Sequence, residues 1–187
     1  MDDLVNLDME SNLAVWVSSA KLLVAALLAG SLASQVGRLK WPMRAAALLF
    51  LAISISETAT LHERLGGVAY WKLHGTELSF GGAPWILYFA PAVMAALLAL
   101  IWAMKRLSAV FPSATLWLWC GVGLWCGALV AEVVPFTVSG VSANAHHYLP
   151  ILEESCELVG ASCFLAGLLC IRDVLAAEPN SARLAGR

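Results

Sequence analysis

Charge is scarce in this sequence. Asp, Glu, Lys and Arg make up 13% of the 187 residues while 60% are hydrophobic, whereas soluble domains carry about 25% charged residues. A mean hydropathy of +0.79 excludes an ordinary soluble fold and points to one membrane-embedded unit over residues 1–187. A net charge of −2 leaves no basic patch, so nucleic acid is not expected as a partner. The start, Met1-Asp2-Asp3, is acidic where a secretory leader would be basic, so the first apolar segment is expected to stay as an anchor. Gly-x-Ser-x-Gly, His-Glu-x-x-His and Walker-type loops are missing, which removes common hydrolase, zincin and nucleotide-binding signatures. Only four histidines are present, and their clustering at span ends argues against a haem held between two helices. Ser54 and Ser56 lie near Glu57 without a histidine in phase, which argues against a serine nucleophile. Cys120, Cys126, Cys156, Cys163 and Cys170 all fall in hydrophobic stretches, so no extracellular disulfide framework is expected. The last three, seven residues apart beside Gly160 and Gly167, read as a close-packing stripe of small residues.

What is present is a series of long apolar runs. A hydrocarbon core of ~30 Å takes about 20 apolar residues at helical rise. Five runs qualify, at about residues 12–34, 43–63, 84–105, 114–137 and 149–172. The expected fold is therefore an all-α bundle of about five transmembrane helices. Arg38, Lys40, Arg44, Lys105, Arg106, Arg172, Arg183 and Arg187 share one side of the membrane when five spans are counted. The positive-inside rule makes that side cytoplasmic, with the N-terminus outside and the C-terminus inside, in an inner (plasma) membrane. Trp16 and Trp85 near the outer ends, and Trp41, Trp102, Trp117 and Trp119 near the inner ends, read as aromatic belts. Trp125 falls mid-span, where packing is the default. The connection from Gly66 to Ala83, carrying Tyr70, Trp71, Lys72, His74, Glu77 and Phe80, reads as an outer loop. It is expected either to be solvated, to lie on the interface, or to fold over the bundle mouth.

The few ionisable residues inside the spans gather near one face. At ~1.5 Å per residue, Glu57 lies about 9 Å, Glu132 about 8 Å and Glu157 about 12 Å inside the outer ends of their spans, with Lys21 about 13 Å inside its own. Carboxylates at such depth are costly unless they pair, take protons, bind a cation or line a wet cavity. Glu153 and Glu154 each share a helix face with Glu157, being three or four residues away. Glu57, Thr60 and Arg64 follow an i, i+3, i+7 line with Ser56 and Glu63 beside it, a polar stripe expected to face the bundle. His62 is about 140° round a regular helix from Glu57 and joins it only if the helix end unwinds. Adjacent His146 and His147 diverge, so at most one is expected to point at the carboxylates, and His74 contributes only if its loop closes.

Two sets of residues follow. Glu57, Glu132, Glu154, Glu157, His62 and His147 form a candidate set for a divalent metal, with Zn, Mn or Fe suited to mixed carboxylate and imidazole donors. Lys21, Arg64, Glu63 and Glu153 form a candidate ion-pair or proton network. A di-iron bundle would add Glu-x-x-His pairs, which this chain lacks. Three functions stay open: a metal-dependent membrane hydrolase or oxidase, a proton- or cation-linked transporter or sensor, and a structural subunit of a membrane complex whose Lys21 pairs with the glutamates. The cytoplasmic half lacks polar residues for a continuous path, which favours a dead-end site over conduction. Expected partners are membrane lipids, together with a homo-oligomer or the other subunits of a membrane complex.

The segments Ser56-Glu57-x-x-x-Leu61-His62-Glu63-Arg64-Leu65, Gly127-Ala128 with Glu132, and Leu152-Glu153-Glu154-x-x-Glu157-x-x-Gly160 resemble an uncharacterised family of small bacterial multi-pass inner-membrane proteins. The resemblance covers about the central and C-terminal two-thirds of the chain. Members often carry an acidic pair before the Leu-His-Glu segment, where this chain has Ser56-Glu57. The resemblance implies that these polar positions belong together and brings no activity with it.

Overall fold

A computed structural model describes residues 13–75, 85–138 and 143–177, with side chains 136 and 143–147 excluded. These residues form seven α-helices and no strand: α1 Leu13–Leu32, α2 Lys40–Ala59, α3 Leu61–His74, α4 Trp85–Tyr88, α5 Ala90–Ser108, α6 Pro112–Thr137 and α7 Ala143–Ala177. Five segments, Leu13–Leu32, Gly37–Ala59, Ala90–Ser108, Pro112–Pro135 and Tyr148–Ala177, are long and apolar enough to cross a membrane. They overlap the five expected runs, although the third begins at Ala90 and not at residue 84, because Phe89 separates it from the short α4. Prolines mark where helices begin: Pro91 and Pro112 sit at the first positions of α5 and α6, where the missing N–H has no intrahelical partner to lose.

The second run departs from expectation. It does not continue as one helix to residue 63, because Thr60 takes a left-handed conformation, φ 48° and ψ 38°. A β-branched residue adopts this region only at a cost. The chain turns there and starts α3, which ends at Gly75, also left-handed at φ 70°. The stretch expected to be loop from Gly66 is therefore helical as far as His74, while Glu77 and Phe80 lie outside the described residues. The 14 residues of α3 reach only ~21 Å at helical rise, too short to span. His74 stays on this helix, its ring stacked 4.3 Å from Tyr70 and its Nδ1–H donating to the Tyr70 carbonyl at 3.2 Å.

Packing is uneven along the bundle axis. α6 runs along α7, α1 along α2 and α7, and α5 bridges α2 and α6. At the end where α1 finishes and α2 begins, Leu32, Val36, Met43, Met104, Leu107, Leu118, Leu168 and Ile171 are fully buried. Small residues bring the helices together: a Cβ on Gly160 would lie 2.5 Å from Trp125, and one on Gly167 2.7 Å from Leu118. Further along, Phe50 meets Phe164 at 4.9 Å and Trp125 meets Phe164 edge-on at 5.5 Å. The α1–α2 seam is fastened by reciprocal bonds. Ser19 Oγ donates to the Ser54 carbonyl at 2.8 Å and Ser54 Oγ to the Ser19 carbonyl at 2.9 Å, with Thr58 Oγ1 2.6 Å from Ser19 Oγ. Beyond that level the bundle opens, for no residue of α5 before Leu100 is buried.

Candidate functional site: a carboxylate-lined cavity

The opening is a cavity of about 490 Å³. One part is acidic, with Glu57 from α2, Glu63 from α3, Glu132 from α6 and Glu153, Glu154 and Glu157 from α7. His62 and Trp85 border this part. The remainder is walled by aliphatic and aromatic groups, among them Leu22, Leu49, Phe89, Val93, Leu97 and Leu100. The site therefore joins a carboxylate-lined head to an apolar body.

The break at Thr60 explains how His62 reaches the site. On a regular helix it would point away from Glu57, but α3 starts afresh and brings His62 Nδ1 within 3.0 Å of Ser56 Oγ. The His62 ring lies 4.8 Å from the Trp85 ring, and its Nε2 is 3.9 Å from Glu63 Oε1. Trp85 in turn donates its indole N–H to Glu132 Oε1. Gly66 makes this arrangement possible, since it is buried against Trp85 with no room for a side chain. Trp85 is thus part of the site and not simply a belt residue at a span end.

The carboxyls act on one another. Glu153 lies within hydrogen-bonding reach of Glu132. Glu57 feels the charges of Glu154 and Glu132, and Glu157 those of Glu57, Glu153, Glu154 and Glu132. Among the described residues, no lysine or arginine lines the cavity. Such a cluster is maintained away from water only if protons or a cation offset its charge.

Of the candidate metal set, Glu57, Glu132, Glu154, Glu157 and His62 line this one cavity, while the side chain of His147, like that of His146, lies outside the described residues. Among the described residues, no group of three or more His, Cys, Asp or Glu side chains is placed to hold a metal ion. The carboxyls border a space instead of converging on a point, so their arrangement does not support the expected metal centre. Of the network set, Glu63 and Glu153 line the cavity and two residues do not. Lys21 directs its ammonium to Ser162 Oγ on α7 at 2.8 Å. Arg64, carried away by the turn at Thr60, is exposed and bonds Thr60 Oγ1 at 3.1 Å. The polar stripe through Glu57, Thr60 and Arg64 is therefore interrupted.

Two cavity-lining polar groups escaped sequence reasoning. Ser18 is 2% exposed, and its hydroxyl has no hydrogen-bond partner among the described residues. The indole N–H of Trp125 is likewise buried without a partner. One hydroxyl on an apolar helix and one mid-span tryptophan carry no distinguishing sequence signal, because both are ordinary packing residues in bundles.

The described residues form an all-helical bundle with an acidic pocket, and its five segments long and apolar enough to cross a membrane fit a multi-pass membrane protein. The chain belongs to the family described as a domain of unknown function, DUF8692, whose model matches residues 1–171. No curated protein and no solved structure matches it.

Proposed function

We propose that this protein is a proton- or cation-linked membrane sensor whose carboxylate cavity is the binding site. The observation that carries this reading is the convergence of glutamates from α2, α3, α6 and α7 on one cavity with no described lysine or arginine in its lining. Such a site takes up positive charge from whatever reaches it. The opposite end of the bundle is filled by Met43, Met104, Leu107, Leu118 and Ile171, all at 0% exposure. A filled core suits a dead-end site that reports occupancy and does not suit a through-going path. With the orientation read from the basic residues, the cavity opens toward the outer face of the inner membrane.

Trp85 provides a built-in reporter, because its indole donates to Glu132. In protein purified in a mild detergent, tryptophan emission is expected to change on acid–base titration. Most of that change should disappear in Trp85→Phe and in Glu132→Gln. An emission that is flat across the titration in the folded wild type would overturn the reading. Vesicles containing the protein should show no proton flux above protein-free vesicles, and a protein-dependent flux would replace sensing with transport.

A further inference from the structure

We infer that the cavity binds a single-chain amphiphilic amine from the bilayer, its ammonium among the carboxylates and its chain along α5. This rests on the cation-binding reading above and names the cation. A site for protons or small ions needs only the acidic part, yet the cavity continues past it between Leu22, Leu49, Leu97 and Leu100. At ~30 Å³ per water-sized group, 490 Å³ accommodates about sixteen such groups, far more than an inorganic cation occupies. The volume falls within the usual range of organic-ligand pockets, about 300–1,000 Å³.

Two orphan groups point the same way. The Ser18 hydroxyl and the Trp125 indole N–H both face this cavity, and both are buried without a partner among the described residues. A buried donor left unmade costs about 1–3 kcal/mol. An oxygen on the ligand, a hydroxyl or carbonyl, would accept from Trp125 N–H, and the same ligand could engage Ser18. Trp125 lies seven residues from Glu132 on α6, ~10 Å further along the helix, so the oxygen belongs on the body of the ligand and not on its ammonium head. Charge complementarity sets the sign of the head. An amphiphile of net negative charge would bring like charge against the glutamates.

The test uses full-length protein in nonionic detergent and reads tryptophan emission and thermal unfolding against four probes. These are dodecylamine, dodecanol, dodecyl sulfate and ethylamine. Dodecylamine should bind saturably and raise the unfolding temperature, at least tenfold more tightly than each of the others. Glu157→Gln should weaken it at least tenfold. Leu97→Trp, which fills the apolar part at a helix face that is not tightly packed, should weaken dodecylamine at least tenfold, read by thermal unfolding because the variant adds an indole to the cavity. Equal binding of ethylamine and dodecylamine, with no effect of Leu97→Trp, would overturn the amphiphile assignment and leave the cation site standing. If the acid–base response of Trp85 is missing as well, both fail together. Equal binding of dodecanol and dodecylamine would make the cavity a general apolar pocket and overturn the amine assignment.

Discussion

Neighbouring glycines on α3 offer a sharp test of how Trp85 is held. A Cβ added at Gly66 would lie 2.6 Å from Trp85 Cβ and 3.1 Å from its Cα, whereas one added at Gly67 meets nothing within 4 Å. Both substitutions to Ala gain the same helix propensity, about 1 kcal/mol. At Gly66 the obstructing atoms are the stem and backbone of Trp85, which cannot swing aside, so α4 must retreat by about 0.8 Å to reach ordinary contact at 3.4 Å. A shift of that size at the stem pulls the indole off Glu132, and a hydrogen bond to a charged group is worth about 1.5–3 kcal/mol. Overpacking adds about 1–3 kcal/mol. The loss exceeds the propensity gain, so Gly66→Ala should destabilise by about 2 kcal/mol while Gly67→Ala is neutral or stabilising. For a chain of this size that corresponds to a fall of roughly 4–8 °C in the unfolding midpoint. Thermal unfolding in detergent, with tryptophan emission recorded in parallel, separates the two variants. Equal midpoints and equal emission spectra would refute the claim that Gly66 seats Trp85 over the carboxylates.

Three further substitutions probe the scaffold. Thr60→Gly removes the left-handed strain, which costs roughly 1–2 kcal/mol for an L-residue, and should raise the unfolding midpoint; a fall would mean that the Thr60 side chain contributes more than its conformation costs. Ser19→Ala and Ser54→Ala should each cost about 1 kcal/mol, with the double variant losing less than the two added together because they share partners; strict additivity in a double-mutant cycle would refute the reciprocal bonding. Lys21→Met removes one hydrogen bond to Ser162 and should cost about 1 kcal/mol while leaving the Trp85 acid–base response unchanged. Loss of that response would return Lys21 to the carboxylate network.

The fold was legible because its signals are periodic and redundant. Five apolar runs of spanning length survive errors at each end: α1 and α6 fall where those runs placed them, while α5 starts later, at Ala90, and α7 extends over Ala143–Ala177. The acidic gathering was also legible, for depth is nearly linear in residue number: Glu57, Glu132 and Glu157 needed only a rise per residue to be put at one level. Angular placement was harder. A helical phase holds only while the helix is unbroken, and a threonine carries no sequence signal for a left-handed turn. The failure at Thr60 accounts for the displaced Arg64, the helix found in place of a loop, and the approach of His62 to Ser56. Trp85 was missed for another reason: an indole at a span end satisfies the interfacial rule, and nothing in its local sequence distinguishes an indole in a headgroup region from one bonded to a buried carboxyl.

The placement of the carboxylates and the looseness of the bundle follow from the same constraint. A helix pair packed by Gly167 against Leu118 leaves no volume for a hydrated or ligand-bound charge, and a glutamate there would have to be neutralised within the packing. Conversely, α5 remains unburied before Leu100, and the cavity lies beside the parts of α2, α6 and α7 that carry Glu57, Glu132, Glu153, Glu154 and Glu157. Filling that space with larger apolar side chains would gain dispersion contacts but strand the carboxyls without an occupant. On the facing side of α5, Ala92, Val93 and Ala96 alternate with Phe89, Leu97 and Leu100, so the cavity wall is apolar and mixed in size. The apolar face of α5 and the glutamates of α2, α6 and α7 therefore border one cavity from opposite sides.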